Sequence, residues 1–154
     1  MTLFNYKNIL VCVDGEQFSY DTFNQACTFA LEQDAKLYIT TIVDPKPYAS
    51  MVRFDSKIMQ RVEQRASESL QAYKQSAEEK GIADAETILE VGTPKVRITR
   101  HIVPDYNIDL IMAGETRGRK PERVMTGSIS KGIAKRATCD VILVKSSGEM
   151  VAKV

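Results

Sequence analysis

Residues 108–144 read IDLIMAGETRGRKPERVMTGSISKGIAKRATCDVILV. The apolar run from Leu110 to Ala113 stops at Gly114, and a polar, basic loop follows. Gly127-Ser128 then opens a segment with helical apolar spacing, carried by Ile129, Ile133 and Ala137. The apolar run Val141 to Val144 closes the unit. The order is strand, glycine loop, helix start, strand. These are the parts of an anion site. Glycine lets backbone N–H groups approach a phosphate, and a helix N-terminus adds about half a positive charge. The plainer alternative is a tight turn and a cap, since serine is a good N-cap on its own account.

The same alternation runs outward through the chain. Ile9 to Val13 is a short apolar run ended by Asp14-Gly15, a strand and a turn. Phe23, Ala26, Cys27, Ala30 and Leu31 recur at helical spacing, with Ser19 or Asp21 as the cap. Tyr38 to Val43 is β-branched and aromatic and stops at Asp44-Pro45. Met59, Val62, Ala66, Leu70, Tyr73 and Ala77 mark one face of a helix, with Gly81 as its stop. A third strand, Glu86 to Val91, is followed by Thr93 as cap and Pro94 in the first turn of a short helix, which ends at Pro104-Asp105.

This pattern predicts a single α/β domain, a doubly wound five-stranded parallel sheet with helices on both faces. Its strands fall at 8–13, 36–43, 86–91, 108–113 and 141–145, with the first one central. Residues 147–154 read as a flexible tail. In such sheets ligands bind outside the carboxyl ends of the strands, where the strand order reverses. Asp14, Asp44 and Gly114 stand at such ends and are candidates for one site.

The 154 residues fit one core. With 21 basic and 20 acidic residues the net charge is +1, so no global field favours nucleic acid or an anionic membrane. The apolar runs are too short to span a bilayer. The N-terminus has no basic segment ahead of an apolar one and reads as mature sequence. Cys12, Cys27 and Cys139 are odd in number and widely spaced, which points to reduced thiols and a cytoplasmic protein. No GxSxG, Walker lysine-serine pair or HExxH is present, and His101, the one histidine, lies away from the strand ends. The expectation is a protein that is not an enzyme.

Taken together, ILVCVDG, IVD, VGTP, DLIMAG, GS and CDVILVK, in that order from about Lys7 to Lys145, resemble the universal stress protein family. The resemblance implies a universal-stress-type domain over 1–146 and a homodimer through the last strand, Val141, Ile142, Leu143 and Val144. It also implies a regulatory adenine nucleotide, ATP with Mg2+, in a stress response. By the same likeness Asp14 matches the acidic residue near the adenosine. Ile42 matches the position whose backbone reads the adenine edge, and Ala113 the pocket wall. Gly114, Gly127, Ser128, Ile129 and Ser130 match the phosphate-contacting glycine loop and helix start. In that loop the family's second glycine falls on Arg117, with Gly118 one residue later. Either the loop shifts by one residue and Gly118 faces the phosphates, or Arg117 holds the position. In the second case its side chain either pairs with the phosphates as a guanidinium fork or fills their space, and filling it leads to the alternative of a nucleotide-free dimeric interaction module. The basic loop side chains and Asp14 also have ordinary readings, as a solvated loop and an Asp-Gly turn.

Overall fold

The computed structural model describes residues 5–14, 17–115, 127–145 and 149–153, and for 17–19, 115, 127–130 and 153 the backbone alone. Six strands form one sheet in the order β3-β2-β1-β4-β5-β6. They are β1 (Asn8–Cys12), β2 (Lys36–Val43), β3 (Ala85–Val91), β4 (Leu110–Glu115), β5 (Asp140–Lys145) and β6 (Met150–Lys153). The first five are mutually parallel and β1 is central, as the alternating pattern predicts. The helices are α1 (Gln17–Gln33), α2 (Ile58–Glu79), α3 (Pro94–Val96), α4 (Val103–Asp105) and α5 (Gly127–Arg136).

Alternation within each strand divides the core between the two faces. Ile9, Val11, Leu37, Ile39, Leu110 and Met112 point to one face, where Phe23 of α1 and Leu70 and Tyr73 of α2 are buried against them. Leu10, Cys12, Tyr38, Ile111, Ala113 and Leu143 point to the other, under Ile98, Ile102 and Ile133. Phe23, Leu70, Ile98 and Ile133 are essentially inaccessible. Each such side chain contributes roughly 1.5–3 kcal/mol by leaving water.

Four expectations are corrected. The sheet has six strands, because β6 pairs antiparallel with β5 (Val141↔Lys153 to Val144↔Met150) where a flexible tail was expected. A short amphipathic segment becomes a strand when an unpaired apolar edge lies within reach. β4 runs through Gly114 to Glu115, so Gly114 lies inside a paired strand rather than at a turn. Val144 and Lys145 of β5 supply its ladder partners. Ser19 and Asp21 lie within α1, which begins at Gln17, and so do not cap it. Thr93 has the extended backbone of a cap (φ −80°, ψ 117°) but its side chain makes no cap bond.

The short helix predicted after Thr93 is present but wound unevenly. Arg97–Ile102 forms a π-helical turn between α3 and α4, with the Val103 N–H donating to the carbonyl of Ile98. Pro104 has no N–H and its ring crowds the carbonyl four residues back. A wider turn just ahead of it relieves that conflict.

Candidate functional site

The switch in strand order falls between β1 and β4: from β1 the chain builds outward to β2 and β3, then returns to the other side of β1. The β1–β4 ladder ends at Val11↔Met112, whereas β4 stays paired with β5 as far as Glu115↔Lys145. Ala113, Gly114 and Glu115 therefore extend beyond the β1 ladder. The carboxyl end of a switch point is where open α/β sheets receive ligands.

Asp14 stands at the end of β1, half-buried. Continuing the β1–β2 register, in which Cys12 faces Thr40, brings Asp14 level with Ile42 of β2. Ile42 is buried on the same face as Ala113. Ala113 and Gly114 of β4 are buried too. The ends of β1 and β2 are tied to their neighbours. The Val13 N–H donates to the carbonyl of Thr40 (2.9 Å), and the Thr41 hydroxyl donates to the carbonyl of Val13 (2.9 Å). Thr40, fully buried, donates to the carbonyl of Ile88 (2.9 Å) and ties β2 to β3. Sequence reading missed both threonines as site supports. In a strand, threonine is an ordinary β-former, and nothing local signals a hydroxyl that bridges to a neighbouring strand.

α5 begins at Gly127 and lies on the Ala113 face, its Ile133 buried beside that residue. Gly127, Ser128, Ile129 and Ser130 are thus its first residues, as the spacing predicts. Gly118, Arg117 and the rest of 116–126 lie outside the described residues. Asp14, Ile42, Ala113 and Gly114 belong to the carboxyl ends of three adjacent strands. Asp44, also named at a strand end, accepts from the Lys46 N–H (3.0 Å) and serves a turn. Among the described residues no three His, Cys, Asp or Glu side chains form a metal-binding group.

Two open depressions lie elsewhere. One of about 580 Å3 runs along the flank of α2 by Glu68, Gln71 and Lys74. One of about 350 Å3 lies between α1 and Met150, lined by Asn24, Thr28 and Phe29. Neither collects residues from the strand ends, and the first is the polar side of a single helix.

The thiols are muted. Burial pushes Cys12 up to about 12, and Cys27 and Cys139 up to about 11. At neutral pH all three are protonated, which removes them as nucleophiles.

A mostly parallel sheet with its strand order reversing beside the central strand and helices on both faces defines the doubly wound α/β class. Within that class the chain belongs to the universal stress protein family, whose model matches residues 5–145. A Staphylococcus aureus (strain USA300) chain named for the same family is 38% identical over 144 residues, covering 94% of this chain and 87% of that one. The structure is similar to universal stress protein UspA from Lactobacillus plantarum (TM-score 0.76, 26% identity, 91% of this chain and 98% of that one). It is also similar to a universal stress protein in complex with cAMP (TM-score 0.70, 21% identity, 92% and 98% covered).

Proposed function

We propose that this protein is a stress-response regulator of the cytoplasm that binds an adenine nucleotide, ATP in the first instance, as a signal rather than as a substrate. One observation carries the reading: the β1–β4 ladder ends at Val11↔Met112 at the switch in strand order, with Asp14 beyond one strand and Ala113-Gly114 on the other. The adenosine sits against Asp14 and the backbone of Ile42, with Ala113 as wall. The phosphates lie toward Gly114 and the N-terminal turn of α5 at Gly127, Ser128, Ile129 and Ser130, where free N–H groups and the helix dipole favour an anion. Gly118 joins them if the loop takes the one-residue shift. A Mg2+ ion reaches the site on the phosphates, with Asp14 as an oxygen ligand. A structural neighbour in complex with cAMP supports the adenine class.

The nucleotide-free reading keeps one specific support, Arg117 at the second glycine position of the loop. Titration calorimetry with ATP, ADP, AMP and cAMP decides between the two. ATP is expected to bind, and Gly127→Val to abolish binding by filling the space a phosphate needs. Ser128→Ala costs about 1 kcal/mol, the worth of one hydrogen bond. Gly118→Ala weakens binding and Arg117→Gly leaves it unchanged. Absence of heat with every nucleotide at millimolar concentration sinks the nucleotide reading. Homodimerisation at the β5 end of the sheet, through Val141, Ile142, Leu143 and Val144 once β6 yields the edge, completes the proposal.

A further inference from the structure

The near-neutral net charge hides a division between the two sides of the sheet. Residues 94–106 and 127–139, which form the α3–α4 segment and α5 with its exit, contain six basic residues (Lys95, Arg97, Arg100, Lys131, Lys135, Arg136) against one acid, Asp105. On the opposite side α1 and α2 carry three basic residues against six acids. The basic elements are neighbours. Ile98, Ile102 and Ile133 share one core cluster, and the stem of Lys95 lies 3.1 Å from where a Cβ on Gly132 would stand. Arg100, Lys131, Lys135 and Arg136 are exposed, with His101 beside Arg100. Arg97 is paired with Glu90 at 3.8 Å. Among the described residues none of the other five cations takes part in an ion pair.

We propose that this α3–α5 side is a docking face for an acidic protein surface. The acids of α1 and α2 do not cancel its field at contact. The sheet and a helix layer about 10 Å across intervene, and charges are screened beyond roughly 8 Å at physiological ionic strength. The chemistry selects the partner. Of the large exposed apolar side chains, Tyr20 and Leu31 belong to α1 and Met150 pairs with Val144 of the α1–α2 face, while Val151, paired with Leu143, stands at the sheet edge of this side, so the contact is mainly polar and transient. Among the described residues the one aromatic at the surface there, Tyr106, is half-buried edge-on against Tyr38, which gives bases of a single strand a poor stacking platform. The cations stand on helix flanks packed down against the sheet, and no described element on this side projects far enough to enter a duplex groove. Carboxylates on a partner helix repeat at the spacing of Lys131 and Lys135, one turn apart. Arg100 and Arg136 offer the planar fork that takes a carboxylate in two hydrogen bonds.

Fluorescence anisotropy with a labelled oligoglutamate peptide and a DNA duplex of matched charge tests this on the whole chain. The peptide is expected to bind at low salt and to weaken about tenfold when Arg100, Lys131 and Lys135 are all changed to Glu. Arg65→Glu with Lys74→Glu, on α2, serves as the control and is expected to change nothing. The substituted positions on the basic side are exposed, so the melting temperature should hold; if the triple variant unfolds, Lys135→Glu alone is compared with Lys135→Arg, and only the reversal should weaken binding. No peptide binding at low salt, equal loss in the α2 control, or tighter binding of the duplex than of the peptide each overturns the proposal.

Discussion

Tyr6 shows how one side chain ties the start of the chain to the far strand. Its hydroxyl donates to Asp140 Oδ2 at 2.7 Å, across 134 residues of sequence, while its N–H donates to Gln33 Oε1 at 3.0 Å. The residue is 7% exposed. Burial first, and then the hydrogen bond to the Asp140 carboxylate, raise the phenol well above its usual value of 10.0. In the unfolded chain the phenol ionises at its usual value, whereas in the folded protein it stays neutral to higher pH. The stabilisation is therefore complete below pH 10 and is lost as pH rises from there toward the raised folded value. Tyr6→Phe is expected to cost about 1.5 kcal/mol at neutral pH, the lower end for a bond to a charged group. The variant should also lose less stability than the parent on moving to about pH 11. Urea unfolding at the two pH values checks both. Equal alkaline losses in the two proteins would show that Tyr6 is not the titrating group.

At the scale of elements, the junction between β3 and α3 gives a second test. Gly92 has φ +150°, a conformation side chains rarely adopt, and its N–H donates to the carbonyl of Val43 at 2.9 Å. A Cβ there would stand 2.6 Å from Arg97 Nε. The arginine can swing aside, but the backbone cannot leave its φ without breaking the bond to β2. Gly92→Ala is expected to cost about 1–3 kcal/mol, mostly as backbone strain. A Gly92→Ala melting temperature equal to the parent's would refute the strain. The same elements show what was legible in the sequence. The parallel strands were readable because both their faces are buried, so apolar residues run together and stop at glycine, proline or aspartate. Gly114 was read as a stop because glycine usually punctuates; its place inside β4 depends on pairing with Val144, which is 30 residues away. The late reading of α1 has a similar cause, since its apolar period becomes visible only at Phe23, after the helix has begun. β6 has only three apolar residues in a row, Met150 to Ala152, too few to mark a strand alone, and is fixed by its partner β5. Of the candidate site, Asp14 is legible as a strand end, while Ile42 and Ala113 follow only from the family resemblance, and the end of the β1–β4 ladder at Val11↔Met112 is a property of the assembled sheet.

For the whole molecule, the dimer proposal turns on what the β5 edge meets. The apolar strand Val141–Val144 suggests an edge waiting for a second copy, but in the protomer that edge is taken by β6. Ile142 is 8% exposed and packs into the α1–α2 side of the core. An Ile142→Lys change would therefore bury a charge and unfold the protein rather than probe an interface. Deleting residues 147–154 is the cleaner experiment, since it removes β6 and leaves β5 intact. Backbone pairing across a two-fold axis needs a free strand edge. With β6 in place that pairing competes with the hairpin; without it, the apolar edge is open. The full-length chain is expected to sediment at about twice 17.2 kDa at micromolar concentration. The truncated chain should form a tighter dimer that persists at lower concentration. If truncation converts a dimer into a monomer, β6 itself makes the contact. If the full-length chain is monomeric at micromolar concentration, the dimer proposal falls.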